Sequence, residues 1–177
     1  VDNGLRIGYS RLMKHIIHDY DSLSPKLRSL MRYIYCAQED LKDGLTQSVY
    51  RQNIRELINT GFVGRTVHFV SESALVRAGS VKAVLSKKGK SEGYIWEHMV
   101  PYNIVLKKLL DLDISSPDAS NIAEKIIEKF TKICVLVKEE DKLLSENGLG
   151  HKMPDDWDGE DVSSRYVKTG IQFREVE

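Results

Sequence analysis

The sequence is short of most things that would name a function outright. It has two cysteines in 177 residues, Cys36 and Cys134, and no pair at CxxC spacing, which argues against a thiolate zinc site. Cys36 falls in a helical pattern and Cys134 in a strand-like run, so both read as buried free thiols and the setting as cytoplasmic. No apolar run approaches the roughly 18–20 residues that cross a bilayer, and no segment has the form of a secretory signal. There is no excess charge of either sign: 26 basic residues balance 26 acidic ones, which argues against a general nucleic-acid coating protein. Internal repeats and low-complexity stretches are lacking too. The chain opens on Val1 rather than Met and so reads as a trimmed or partial product.

What is present is an ordinary globular composition, 41% hydrophobic and 29% charged, long enough for one core with a helical appendage. Charge is uneven along it. Arg77, Lys82, Lys87, Lys88 and Lys90 crowd one segment, and Asp155, Asp156, Asp158, Glu160 and Asp161 another. These read as a basic face able to hold a phosphate backbone, or as two solvated loops of opposite sign.

Residues 1–61 read as a helical N-terminal region, and 62–177 as an α+β domain. Leu5, Leu12 and Ile16 fall near helical spacing. Ser24 is a natural N-cap with Pro25 in the first turn. Leu27, Leu30, Met31, Ile34, Tyr35 and Leu41 then make an amphipathic stripe ended by Gly44. Thr46 can cap a third helix, with Val49, Ile54, Leu57 and Ile58 inward and Gly61 as its stop. After Gly61 the period changes. RTVHFV alternates as a strand, SVKAVLS suits a strand or short helix, and KKGKSEG is a loop. YIWEHMV is a strand closed by Pro101. A helix follows Asn103, and another is capped by Ser116–Pro117 with Ile122, Ile126, Ile127 and Phe130 inward. KICVLV is a buried strand, KEEDKLLSENG a short helix stopped by Gly148, and the tail with Trp157, Tyr166, Ile171 and Phe173 an ordered wrap on the core.

The stretch that packing alone explains least is IWEHMVP, which sets Glu97 beside His98 and stops at Pro101. A strand ends in this acid–histidine pair, a proline follows, and a later strand, Ile133 to Val137, feeds a helix opening with Glu139, Glu140 and Asp141. That order resembles the ββα-metal nucleases (HNH-type, His-Me finger) over about a third of the chain, residues 94–148. The resemblance implies a small antiparallel β-sheet or hairpin with packed helices and a metal-dependent endonuclease acting on DNA or RNA in a restriction, phage-defence or toxin setting. His98, whose kind titrates near pH ~6.5, would be the general base. Glu97, on the opposite side of the strand, would bind Mg²⁺ or Mn²⁺ together with Asp141 or Glu140. The chain departs from the family pattern in three ways: a whole helix intervenes between the two halves, an acid stands where His or Asn is usual, and neither Asn103 nor Asn121 fits the central asparagine.

Other residues join more loosely. Arg165 could clamp a phosphate in catalysis or pair with Asp161. His68 and Glu72 could enter the site from a neighbouring strand, although a partly buried sheet position suits His68 better. His15 and His18 sit three apart on one helix with no third ligand nearby, and Trp96 and Trp157 read as packing residues. The alternative function is a noncatalytic module contacting protein or nucleic acid through the Leu27–Leu41 face and the basic segment, with a homodimer possible through the N-terminal helices. A third reading is a nuclease-derived fold that has lost its catalysis.

Overall fold

The computed structural model describes residues 12–44, 48–64, 66–86 and 93–176. Leu5, the Thr46 cap, the first residue of RTVHFV, the loop 87–92 and with it Lys87, Lys88 and Lys90 lie outside the described residues. The chain divides into two compact units, one of Val1–Gly64 with Leu106–Glu128, the other of Arg65–Val105 with Lys129–Glu177. The segment 106–128, read from the sequence with the second domain, therefore belongs to the first unit.

The first unit is helical. Helix α1 (Pro25–Lys42) begins where the stop-and-start signal places it. Ser24 is extended at ψ 152° and its Oγ accepts from the Leu27 amide at 3.2 Å, while Pro25 takes a position that has no helical acceptor for an N–H. The helix buries Leu27, Leu30, Met31 and Ile34 of the expected stripe and Ala37 besides, whereas Tyr35 is half-buried and Leu41 at its end is 60% exposed. Helix α2 (Ser48–Leu57) does not stop at Gly61. It widens into a π-helical turn over Ile58–Val63 and ends at Gly64, whose φ of +62° is the left-handed value that halts a helix cheaply only in glycine. Gly61 serves packing instead: a Cβ there would lie 3.3 Å from Leu57 Cδ1, and its carbonyl accepts from Lys26 Nζ at 2.7 Å.

The second unit is α+β. Its elements are β1 (Phe69–Ser71), α3 (Glu72–Ala78), α4 (Val81–Ser86), β2 (Tyr94–His98), β3 (Ile133–Val137), α7 (Lys138–Glu146), α8 (Ser164–Thr169) and β4 (Phe173–Glu175). Between β2 and β3 the chain runs through α5 (Tyr102–Leu110) and α6 (Ala119–Phe130), each with residues in both units. Helix α6 starts later than Ser116–Pro117 suggests, because Ser116 closes a turn ahead of it, its carbonyl accepting from the Ala119 amide at 3.1 Å. Its buried stripe is Ala119, Ala123, Ile127 and Phe130, so Ile122, expected inward, is 40% exposed.

The strands form one four-stranded sheet in the order β2-β3-β1-β4. It is mixed, not antiparallel as the sequence suggested. β2 and β3 are antiparallel, but β1 runs parallel to β3, and β4 is antiparallel to β1. A parallel pair needs a long crossover, and here more than one helix lies between β1 and β3. Strand β3 is buried at every position, as a strand with neighbours on both edges and both faces covered should be. One face of the sheet carries a cluster of Met99, Cys134, Leu136, Leu144, Leu149, Tyr166 and Ile171, with Phe69, Leu143, Val162 and Phe173 packed against it. The tail supplies both α8 and the edge strand β4, and Phe173 meets Phe69 and Tyr166 edge to face at 5.5 and 5.6 Å.

Both cysteines are free thiols, Cys134 buried and Cys36 half-buried. No described helix is long and apolar enough to cross a membrane. The Ser24 cap makes a direct prediction: Ser24→Ala should cost about 1 kcal/mol in urea denaturation followed by circular dichroism, with the native spectrum unchanged.

Candidate functional site

Strand β2 ends as the pair Glu97–His98, opposite Cys134 and Ile133 of β3 respectively. Since neighbours on a strand alternate, Glu97 shares a face with Cys134 and the apolar cluster, and His98 faces the other way with Ile133. Glu97 is thus directed toward α7, α8 and the loop between them. Its side chain is 23% exposed, and what it meets there is Arg165.

Arg165 lies in the first turn of α8 and its side chain is 0% exposed. A guanidinium carries five N–H donors. Nε donates to the Met99 carbonyl at 3.0 Å, and Nη1 donates to Leu149 O at 2.7 Å and Gly150 O at 3.3 Å. Nη2 donates to Glu97 Oε1 at 2.9 Å and also meets the His98 carbonyl. The five donors have five acceptors, one of them a carboxylate. The phosphate clamp expected of Arg165 has no donor left and no exposed surface to work from. Nor does Arg165 pair with Asp161, whose Oδ1 accepts from the Ser163 amide and hydroxyl at 2.9 and 2.7 Å.

Glu140 is a second departure. It is buried, and its Oε2 accepts from Ser71 Oγ at 2.6 Å and from the Val137 amide at 3.0 Å. It is the return half of a capping box for α7, satisfying an amide that the start of the helix would otherwise orphan. Ser71 in turn accepts from the Ala74 amide at 3.1 Å and so caps α3. Two helix starts and the β1–β3 pair are fastened by one carboxylate and one hydroxyl. Glu139, its neighbour, pairs at the surface with Arg77 at 3.1 Å, which neutralises one member of the basic segment.

Asp141 is half-exposed in the first turn of α7, which packs on β2 and β3. Its charge reaches Glu97. Burial is the main cause that raises the Glu97 carboxyl above its ordinary pKa. The hydrogen bond and charge of Arg165 pull it back, Asp141 adds to the rise, and His151 opposes it. The electrostatic neighbourhood of Glu97 is therefore Arg165, Asp141 and His151. His151, from the loop after α7, had no spacing or motif to mark it in the sequence.

Two of the predicted ligands also have roles in the fold. Glu140 is committed through Oε2 to Ser71 and Val137, and Glu97 through Oε1 to Arg165. Among the described residues, no three His, Cys, Asp or Glu side chains are grouped so as to hold a metal ion. His18 pairs with Asp19 at 2.9 Å. Trp157 is a docking residue, its indole N–H donating to Asp161 O at 2.7 Å and its ring meeting Phe130 edge-on at 6.3 Å.

No protein-family model matches this sequence, and comparison with curated proteins and with solved structures returns no significant match either.

Arg165→Met should lower stability by about 3–5 kcal/mol, because it leaves Glu97 buried without its counter-ion and four carbonyls without donors. Arg165→Lys should recover only a minor part, since three donors on a flexible stem cannot meet five acceptors. Chemical denaturation of the two variants beside the parent chain checks both.

Proposed function

We propose that this chain is a noncatalytic interaction module with a protein partner. The observation that carries this reading is the closure of the one constellation that looked catalytic. Glu97 is held by a buried arginine whose donors are all engaged, and Glu140 is the cap of its own helix. Such groups fasten a strand end and a helix start: Glu97 Oε1 and Glu140 Oε2 are taken up by the fold, and Arg165 has no donor left for a substrate. A protein partner is favoured over nucleic acid by the balanced net charge and by the engagement of Arg77 with Glu139. The first unit offers a surface of suitable character. A groove of about 520 Å³ is lined by Ile16, Tyr35, Leu41, Leu110 and Leu112 among others, with the exposed Leu41 as part of its wall. Exposed leucine beside a concave, partly apolar surface is the chemistry of a protein contact. A second copy of the chain, through the helical N-terminal part, is one form this contact could take, and sedimentation measures it.

A second reading is a phosphodiesterase acting on DNA or RNA with Mg²⁺ or Mn²⁺, His98 as its base. Two observations favour it: β2 and β3 are antiparallel neighbours leading directly into α7, and Asp141 of that helix stands near enough to Glu97 to raise its pKa.

One pair of measurements separates the two. With the purified chain, Mn²⁺ should broaden no resonances selectively around His98 and Asp141, and plasmid incubated with Mg²⁺ or Mn²⁺ should stay supercoiled. Nicking that His98→Ala abolishes would establish the hydrolase and end the module reading.

A further inference from the structure

The sheet end where β1 and β3 begin holds a titratable group that the reading above does not use. His68 immediately precedes β1, half-buried, and makes three hydrogen bonds to its neighbours. Its backbone N–H donates to Ile133 O at 2.9 Å, and its carbonyl accepts from the Val176 amide at 2.8 Å. Its side chain closes the third: Ile133 N–H donates to His68 Nδ1 at 3.2 Å. Ile133 is the first residue of β3 and Val176 follows β4, so one residue ties three strands together at a common end. The imidazole takes the place of a strand carbonyl, capping a buried amide that lies beyond the β1–β3 register, which starts at Phe69 and Cys134.

An imidazole can accept at Nδ1 only while that nitrogen is unprotonated. The third bond therefore requires the neutral ring with its proton on Nε2. Protonation would place an N–H against the Ile133 N–H, donor against donor, and leave that amide unsatisfied. We propose that His68 is an acid-released latch: neutral, it holds the start of β3 to the β1–β4 edge of the sheet, and protonated, it lets that edge loosen. The charged groups facing the ring are Lys132, next to β3, and Glu175 on β4. Burial depresses the pKa of the ring below its ordinary value, Lys132 depresses it further, and Glu175 opposes both. His98 stands on the far side of β3, opposite Ile133.

The direction of the pH effect follows from linkage. The unfolded chain binds the proton more tightly than the folded chain does. The stability that His68 contributes is complete above about pH 6.5, the unfolded value, and is lost as pH falls from there through the folded pKa.

Two measurements on the whole chain test this. Ring ¹⁵N spectra should show the Nε2–H tautomer for His68 at neutral pH and a titration midpoint below that of a histidine in a denatured chain. Hydrogen exchange, corrected for intrinsic rate, should show protection of the Ile133 amide falling as pH is lowered from about 7.5 to about 5, by about tenfold for each unit separating the two pKa values. In His68→Asn, where Oδ1 can accept from the same amide at any pH, that fall should vanish. An Nδ1–H tautomer, a midpoint at or above the denatured value, or identical pH profiles for the two proteins would overturn the latch. Should His68→Asn fail to fold, the tautomer and midpoint of the parent chain still decide.

Discussion

The second unit depends on a buried positive charge. A guanidinium without solvent is tolerable only when its donors are all met and a negative charge stands beside it. Arg165 meets both conditions with the end of β2, the carbonyls after α7 and the Glu97 carboxylate. In doing so it fixes where three segments distant in sequence must lie: 97–99, 149–150 and 165. An apolar residue could fill the same volume but could not select among these carbonyls. The benefit of an ion pair in such a place is a single arrangement more than raw stability.

The same principle bears on the resemblance to a catalytic centre. An acid at a strand end, an acid-rich helix start and an arginine beyond them form a pattern used for holding phosphate and metal. It is equally the pattern used for closing backbone. Glu140 illustrates this: its oxygen accepts from a helix-start amide and from Ser71, so the acid that looked like a ligand completes two caps. Type and spacing of residues are common to both uses. What distinguishes them is whether lone pairs and donors stay available once the backbone has been satisfied.

Legibility in the sequence followed how local each cause was. The Ser24 cap, the first four positions of the α1 stripe, the all-apolar β3 and the start of α7 rest on neighbours within a few residues, and they read correctly. The course of β1 did not, because its three residues are shared with distant partners and only Phe69–Ser71 pair as strand. The tail read as a docked wrap, yet nothing local announced that Phe173–Glu175 would become the edge of a mixed sheet. In the site, the opposite orientation of Glu97 and His98 follows from strand alternation alone. The partner of Glu97 could not follow: it required knowing that α8 returns to the β2 end, 68 positions along the chain. His151 and His68 acquire their neighbours in the same nonlocal way.

The division of the chain carries a consequence for how the protein is made and handled. Each unit is assembled from two separate stretches, and the stretches alternate: Val1–Gly64, then Arg65–Val105, then Leu106–Glu128, then Lys129–Glu177. A ribosome completes the sequence of the helical unit only on reaching residue 128, when β1 and β2 have already been synthesised without β3 or β4 to pair with. A cut between residues 64 and 65 strips the helical unit of 106–128 and leaves that stretch stranded inside the sheet unit, so no single cut delivers both units whole.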